Sequence, residues 1–210
     1  MLTASTSKNH FLDTNVLLRH ANNASGTENA DIQEILKDAV NKKRHIWVSS
    51  VLFAELRPSN FQAGVFSSVD ELAKYIRSFA TVVSPDVNTN LRAARLRDLS
   101  WQRPVDVRGK DEKPRFMTLG DALHLSSALW VKEANEISDL EFLTFDDGKS
   151  ISNEGEGKKK ALSILNLEKY TDGISTDQDV IATVLLPRLR PVLSQRALPA
   201  SHGGSHPQTS

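Results

Sequence analysis

Short apolar runs and longer amphipathic segments alternate along this chain. In the longer segments apolar residues recur every three or four positions, which is the spacing of one buried helix face. This pattern predicts helices over residues 16–22, 27–43, 50–57, 68–79, 86–101, 118–134 and 177–186. The short apolar runs predict strands at residues 11–12, 45–48, 81–83, 141–145 and 162–167. Because strands and helices alternate, we predict an α/β fold with a central parallel sheet flanked by helices.

Three segments depart from this pattern. Residues 103–114 contain two prolines, one glycine and many charges of both signs, which predicts an exposed loop. A second loop is predicted at residues 152–160, and the Pro, Gly, Ser and His content from residue 197 onward predicts disorder. The interpretation is a main domain at residues 9–170 and a C-terminal extension at residues 171–210, formed by a helix and a disordered tail.

Composition narrows the setting of the protein. The 210 residues suffice for one domain with a sizeable core. The 26 basic and 26 acidic residues give a formal net charge of zero, so any nucleic-acid contact requires a local basic patch. The chain has no cysteine, which excludes disulfides and thiolate metal sites. It also lacks an apolar signal core and a long uncharged apolar run, so we expect a soluble, cytoplasmic protein without a membrane segment.

Four acids stand out by their positions. Asp13 and Asp146 follow apolar strand-like runs, Glu55 lies inside an apolar stretch, and Asp121 falls in the first turn of a predicted helix. Carboxylates gathered in one cleft repel one another and raise one another's pKa unless a cation compensates them. Hard oxygen ligands of this kind select Mg²⁺ or Mn²⁺. The four positions therefore indicate metal-assisted phosphodiester chemistry.

Each acid also has a structural interpretation. Asp13 could cap the helix that follows it, and Glu55 could lie at a helix edge. Thr118 and Asp121 have the spacing of a capping box, and Asp146 could belong to an ordinary turn. The positions of the acids taken together are more specific than any one of them, because Asp13 and Asp146 both follow the carboxyl ends of predicted parallel strands. Open α/β sheets place their ligand clefts at that edge.

Four segments resemble, in order, the motifs of PIN-domain ribonucleases. The match extends over residues 9–168, and the closest resemblance is to VapC-type toxins of toxin–antitoxin pairs. The segments are Phe11-Leu12-Asp13-Thr14-Asn15-Val16-Leu17-Leu18, Val48-Ser49-Ser50-Val51-Leu52-Phe53-Ala54-Glu55-Leu56, Gly120-Asp121-Ala122-Leu123-His124-Leu125 and Leu143-Thr144-Phe145-Asp146.

The resemblance implies a three-layer PIN-like fold and a divalent-metal-dependent endoribonuclease. It places Mg²⁺ or Mn²⁺ among the four acids, and it places the polar residues Thr14, Asn15 and Thr144 beside them as orienting groups. It also implies an RNA substrate and an antitoxin protein as partners, and we expect a homo-oligomer.

Two alternatives stay open at this stage. The first is a housekeeping nuclease that acts on RNA or DNA, since related folds cut DNA. The second is a catalytically silent PIN module that serves as a scaffold for RNA or protein. The four acids argue against a scaffold, because a scaffold has no physical need to retain four mutually repelling carboxylates.

Two neighbours of the acids are interpreted as lying outside the site. His124 follows Asp121 by three residues on the same predicted helix face, but a surface or core-edge position is the commoner case for such a histidine. Asp147 is adjacent to Asp146, and side chains alternate along an extended strand. We therefore expect only Asp146 to face the cleft and Asp147 to lie in a turn exposed to solvent.

Overall fold

The computed structural model describes residues 8–21, 27–61, 66–148, 151–152 and 159–192. None of the helices in these ranges is long and apolar enough to cross a membrane. The α-helices are α1 (Thr14–Ala21), α2 (Thr27–Val40), α3 (Leu52–Glu55), α4 (Val69–Phe79), α5 (Val87–Asp98), α6 (Leu119–Ala134) and α7 (Gln178–Leu185). Short 3₁₀ turns occur at Pro58–Asn60 and Leu167–Tyr170. The strands are β1 (Lys8–Leu12), β2 (Arg44–Ser49), β3 (Ala80–Val83), β4 (Glu141–Leu143), β5 (Ile151–Ser152), β6 (Lys159–Lys160) and β7 (Arg188–Leu189).

Five strands form one parallel sheet in the order β3-β2-β1-β4-β7. The register places Phe11 of β1 beside Trp47 of β2 and Phe142 of β4. The two short strands β5 and β6 form a separate antiparallel pair. The predicted α/β architecture with a central parallel sheet flanked by helices is confirmed.

The sheet separates two hydrophobic cores, because alternate residues of each strand face opposite sides. Phe11 and Trp47 pack on one side with residues of α5, α6 and α7. Leu12 and Val48 pack on the other side with residues of α1, α2 and α4. With helices on both faces, the polar groups at the carboxyl ends of the strands meet at one edge.

The strand predicted at residues 162–167 is wrong. Leu162 and Ile164 are buried, but the segment is irregular, and the Leu165 amide donates to the Asp146 carbonyl at 3.0 Å. Burial alone produced the apolar run there, without sheet pairing. The fifth strand is β7 instead, which pairs with β4 and lies in the segment interpreted as an extension. Residues 178–189 thus add a helix and a strand to the same sheet.

The loop predictions are correct in part. Residues 103–114 contain turns and no helix or regular strand. The loop predicted at residues 152–160 is shorter than expected, since Ser152 and Lys159–Lys160 belong to strands. Residues 153–158 and the tail from residue 197 lie outside the described residues.

Candidate functional site

A cleft of about 500 Å³ lies at the carboxyl ends of β1 and β4. All four acids predicted from the sequence line it, although they come from four separate parts of the chain. The lining side chains include Asp13, Thr14, Asn15, Leu18, Arg19, Glu55, Thr118, Asp121, His124, Phe145, Asp146 and Asp147. The fold therefore brings the predicted carboxylates to a single surface.

Asp13 is placed by the end of β1. Its backbone amide donates to the Leu143 carbonyl at 3.0 Å, which extends the β1–β4 pairing by one residue before α1 begins. The side chain is only 5% exposed, and its Oδ2 accepts hydrogen bonds from Asn15 Nδ2 at 2.7 Å and Thr144 Oγ1 at 2.6 Å. Two neutral donors thus hold this buried carboxylate in one orientation.

Asn15 and Thr144 connect the ends of the two strands. The Asn15 amide also donates to Thr144 Oγ1 at 2.9 Å, and its carbonyl oxygen accepts from the Phe145 amide at 3.0 Å. Thr144 is fully buried below the cleft surface, and its hydroxyl accepts from the Asp146 amide at 3.0 Å. One hydrogen-bond network therefore positions both Asp13 and Asp146.

Asp146 is held by a tight turn. Its Oδ1 accepts from the Gly148 amide at 2.8 Å. Gly148 has a φ of +75°, and a Cβ at this position would lie 2.9 Å from the backbone nitrogen of Ser163. A glycine is required both by the backbone conformation and by this close approach.

The expectation that Asp147 would lie away from the cleft is wrong. Asp147 is half-buried, lines the cleft beside Asp146, and its carboxylate is 3.5 Å from the guanidinium of Arg190. Asp146 and Asp147 precede the turn at Gly148 and lie beyond strand β4, which ends at Leu143. The alternation of side chains that supported the expectation does not apply beyond that residue.

Asp121 takes part in the N-terminal cap of α6 and also lines the cleft, which are the two roles that the sequence left open. The Thr118 hydroxyl accepts from the Asp121 amide at 3.1 Å, as an N-cap does, and donates to the Asp121 carboxylate at 2.6 Å. The capping interaction starts α6 at the cleft. The helix end therefore directs this carboxylate toward the other acids.

Glu55 is the last residue of the short helix α3. Its Oε2 lies 2.9 Å from Nε2 of His124, and the same ring nitrogen lies 3.0 Å from the Thr14 hydroxyl. His124 is 1% exposed, and its Nδ1 has no hydrogen-bond partner among the described residues. The interpretation of His124 as a surface or core-edge residue is therefore wrong. Its position one helical turn after Asp121 was the feature that could have placed it in the cleft.

Burial and neighbouring negative charges raise the pKa values of three of the four acids. For Asp121, burial and then the charges of Asp13 and Asp146 raise the pKa to about 7. For Asp146, burial raises the pKa to about 6, with the charges of Asp13 and Asp147 acting in the same direction against the hydrogen bond from Gly148. Burial also raises the pKa of Asp13. The cleft concentrates negative charge that water does not fully screen.

His124 supplies the opposite charge. Burial lowers its pKa, but the hydrogen bond to Glu55 and the negative charges of Asp13, Glu55 and Asp121 outweigh burial and raise it. Burial of Glu55 raises the pKa of that carboxyl, but the hydrogen bond and charge of His124 outweigh it, so the pKa is lowered. When it is protonated, His124 compensates the charge of Glu55.

The donor chemistry of the cleft fits a hard divalent cation. Four carboxylates provide oxygen ligands. The raised pKa values of three of them indicate that a nearby positive charge would stabilise their ionised forms. In the side-chain conformations of the described residues, however, no three His, Asp or Glu side chains are grouped closely enough to hold one ion. The carboxylates are turned instead toward Asn15, Thr118, Thr144, His124 and the Gly148 amide.

No protein-family model matches this chain, and comparison with curated proteins finds no significant match. The geometry of the cleft and the order of its motifs are therefore the grounds for a proposed function.

Proposed function

We propose that this protein is an endoribonuclease of the PIN class that depends on Mg²⁺ or Mn²⁺. The observation that supports it is the convergence of Asp13, Glu55, Asp121 and Asp146 on one cleft at the carboxyl edge of a parallel sheet. Carboxylates that serve only in helix caps or turns have no need to lie close to one another. Acids that meet and raise one another's pKa values are typical of functional sites.

The four acids are the residues that would hold the cation. A divalent cation bound there would polarise the scissile phosphate, lower the pKa of an attacking water and stabilise charge on the leaving oxygen. Asn15 and Thr144 hold Asp13 at the cleft, and the Gly148 amide holds Asp146 there, so binding one shared ion would require the carboxylates to turn toward it. Thr14 contacts both His124 and Glu55, and so helps to position the Glu55 carboxylate.

Arg19 provides positive charge at the edge of this acidic cleft. Its guanidinium lies over the Phe145 ring at 4.2 Å from the centroid and pairs with Glu28 at 2.6 Å. These two contacts fix the planar group where it lines the cleft. A guanidinium there would bind a phosphate of the RNA and offset its repulsion by the acids.

The decisive experiment supplies purified protein with RNA or DNA in EDTA, Mg²⁺ or Mn²⁺. We expect cleavage of RNA with either metal and none in EDTA, and no cleavage by the Asp13→Asn variant under any condition. Cleavage of DNA alone would point to a DNA nuclease. Binding of RNA without cleavage in both metals would point to a scaffold.

We further propose that the protein is the toxin of a toxin–antitoxin pair, a cytoplasmic homo-oligomer that an antitoxin protein neutralises. The order of the four motifs supports this part of the proposal. Induction in a bacterial host should arrest growth, and Glu55→Gln should relieve the arrest at equal protein level. Normal growth with abundant, active wild-type protein would indicate a housekeeping nuclease instead.

Asp146 and Asp147 should differ in their importance for cleavage. Asp146 is oriented by the Gly148 amide, whereas Asp147 contacts Arg190 at the edge of the cleft. We expect Asp146→Asn to lower the cleavage rate at least ~10-fold, the scale of losing an oriented ligand, and Asp147→Asn to change it little. Rates at saturating Mn²⁺ test this, and a larger loss for Asp147→Asn would reverse the assignment.

Gly120 offers a way to move Glu55 without removing it. A Cβ at Gly120 would collide with Oε1 of Glu55 and lie 3.4 Å from its Cδ, so an alanine must displace the carboxylate. The fold should tolerate this, because the displaced atoms end a flexible side chain and alanine favours helix by about 1 kcal/mol over glycine. We expect Gly120→Ala to keep or raise the melting temperature while lowering the cleavage rate at least ~10-fold.

Gly109→Ala is the matched control, since the nearest atom to a Cβ there is 4.0 Å away. It should change neither the melting temperature nor the cleavage rate. Full activity of Gly120→Ala would mean that the position of the Glu55 carboxylate is unimportant for the reaction.

A further inference from the structure

A second cavity lies at the opposite edge of the sheet. Its volume is about 320 Å³, and it is located at the amino ends of β2 and β3. The basic pocket, as we name it, is lined by Lys42, Arg44, His45 and Arg77 together with apolar residues and Thr81. No carboxylate is among the described residues that line it. The six residues of β2 separate it from the acidic edge by about 17 Å, at a rise of about 3.3 Å per residue.

Much of the positive charge in the basic pocket is uncompensated. Arg44 pairs with Asp38 at 3.0 Å, but neither Lys42 nor Arg77 forms an ion pair within the described ranges. Lys42 and Arg77 are both exposed. A protein with zero net charge therefore concentrates two free cations in one concave surface.

Lys42 occupies an unusual backbone position. Its φ is +59°, in the turn that follows α2, where glycine or asparagine is the usual residue. A lysine in the left-handed region is strained relative to glycine. The turn thus places a cation at the basic pocket at some expense of stability.

The exposed ring of His45 lies at the rim of the same pocket, on the sheet face opposite to Ile46. The His45 ring stacks on Trp47 with 4.3 Å between centroids and 17° between planes, and its Nε2 contacts the Thr81 hydroxyl at 2.9 Å. The two contacts fix the ring, while His45 remains exposed. A fixed, exposed ring at the rim of a pocket with unpaired cations lets a base stack while the neighbouring phosphates contact the cations, as in sites for single-stranded nucleic acid.

The acidic cleft creates a need for such a site. RNA is a polyanion, and the cleft that is proposed to cut it carries four carboxylates, so cations outside the cleft would add to the affinity that Arg19 and a bound metal supply. We propose that the basic pocket is an accessory site that binds the phosphates of single-stranded RNA away from the cleft. This inference rests on the proposed function, since RNA as the substrate is itself part of that proposal.

The test measures binding in EDTA, where no cleavage occurs. A fluorescently labelled single-stranded RNA oligonucleotide is titrated with protein at several salt concentrations, and anisotropy gives the affinity. Replacing Lys42 and Arg77 together with alanine should weaken binding about 10-fold. The slope of log K against log salt should fall by about 1.4, because each single-strand phosphate contact contributes about 0.7.

The matched control is the double variant Arg97→Ala with Lys113→Ala, which removes the same charge from two other exposed positions. It should bind like the wild type, and equal losses for the two double variants would overturn the proposal. Arg77→Glu is a second variant on the exposed face of α4, and it should weaken binding further even if the Lys42 turn tolerates alanine poorly. Unchanged binding by Arg77→Glu would also overturn it.

Poly-glutamate as a competitor separates RNA from an acidic protein partner. Weak competition supports the RNA site, whereas displacement as strong as that by unlabelled RNA would overturn it in favour of an acidic peptide. The two proposals can fail separately. Pocket-dependent RNA binding without metal-dependent cleavage would reject only the nuclease, and cleavage with pocket-independent binding would reject only the accessory site.

Discussion

The Asp121→Asn variant should lose cleavage at least ~100-fold and yet melt at a higher temperature than the wild type when no metal is present. The carboxylate lies half-buried near Asp13 and Asp146, and desolvation followed by the charges of these two residues raises its pKa to about 7. An amide of the same size removes this repulsion and can still contact Thr118. We expect a gain of about 1–2 kcal/mol, which corresponds to roughly 2–8 °C in a domain of this size.

The raised pKa of Asp121 determines how the stability of the protein changes with pH. Because the pKa of Asp121 is about 7 in the folded protein and 3.8 ordinarily, the folded state retains a proton that the unfolded state releases between these values. Stability therefore falls as pH rises through this window, and Asp146, with a pKa of about 6, acts in the same direction. The wild type in EDTA should lose stability relative to Asp121→Asn from about pH 4 to pH 7.

The titration of His10 changes stability with pH in the opposite direction, so its contribution must be separated from that of Asp121. Burial, followed by the charge of Arg44, lowers the pKa of His10 to about 4, so its contribution to stability is lost as pH falls below its ordinary value of 6.5. The difference between wild type and variant cancels this term, since both contain His10. Thermal melts across pH in EDTA provide the measurement, with Asp106→Asn in the exposed loop as control. A lower melting temperature for Asp121→Asn would show that the carboxylate is mainly a helix cap.

The largest loss of stability is expected for His124→Ala. This ring is almost fully buried, and its removal leaves a cavity and takes away the cation that compensates the acids. Glu55 is partly exposed and can turn to water, which limits the electrostatic part of the cost. We expect a decrease of about 2–4 kcal/mol in the free energy of unfolding, measured by urea denaturation in EDTA.

A double-mutant cycle separates the cavity from the charge. Glu55→Gln alone should cost little stability, because the other acids still surround His124. The cycle of His124→Ala and Glu55→Gln should show a coupling of about 1 kcal/mol or more, as expected for contacting groups. Additive effects would mean that the 2.9 Å contact between the two side chains contributes nothing to stability. Saturating Mn²⁺ should recover part of the stability of His124→Ala, because it replaces the lost positive charge.

The fold was largely predictable because its strands and helices bury regular faces. The alternation around Phe11 and Trp47, and the helical spacing of Ile32, Ile35 and Leu36, are properties of single elements. Strand β7 was not predictable in this way. It has two residues, and only its pairing with Phe142 and Leu143, more than forty residues earlier in the chain, makes it a strand.

The acids of the candidate site were predictable, but the groups that hold them were only partly so. Asp13 and Asp146 follow strands, and the position of each can be inferred from local pattern. The role of His124 in the site was not predicted, because its partner Glu55 is 69 residues away in the sequence. No local pattern shows that the two side chains are in contact. The wrong orientation expected for Asp147 has a similar cause, since the end of β4 depends on tertiary pairing.

Because β7 comes late in the chain, one side of β4 stays unpaired during much of synthesis. Strands β1 to β4 emerge from the ribosome before the residues that pair with the outer side of β4. Until then the nascent chain presents unpaired backbone groups next to Thr144, and such open edges recruit strands of other chains. The segment that closes this edge is synthesised after every residue of the acidic cleft. A nascent chain would therefore contain all the acids of the cleft while still lacking the neighbour that secures β4, so completion of the sheet would wait on α7 and β7.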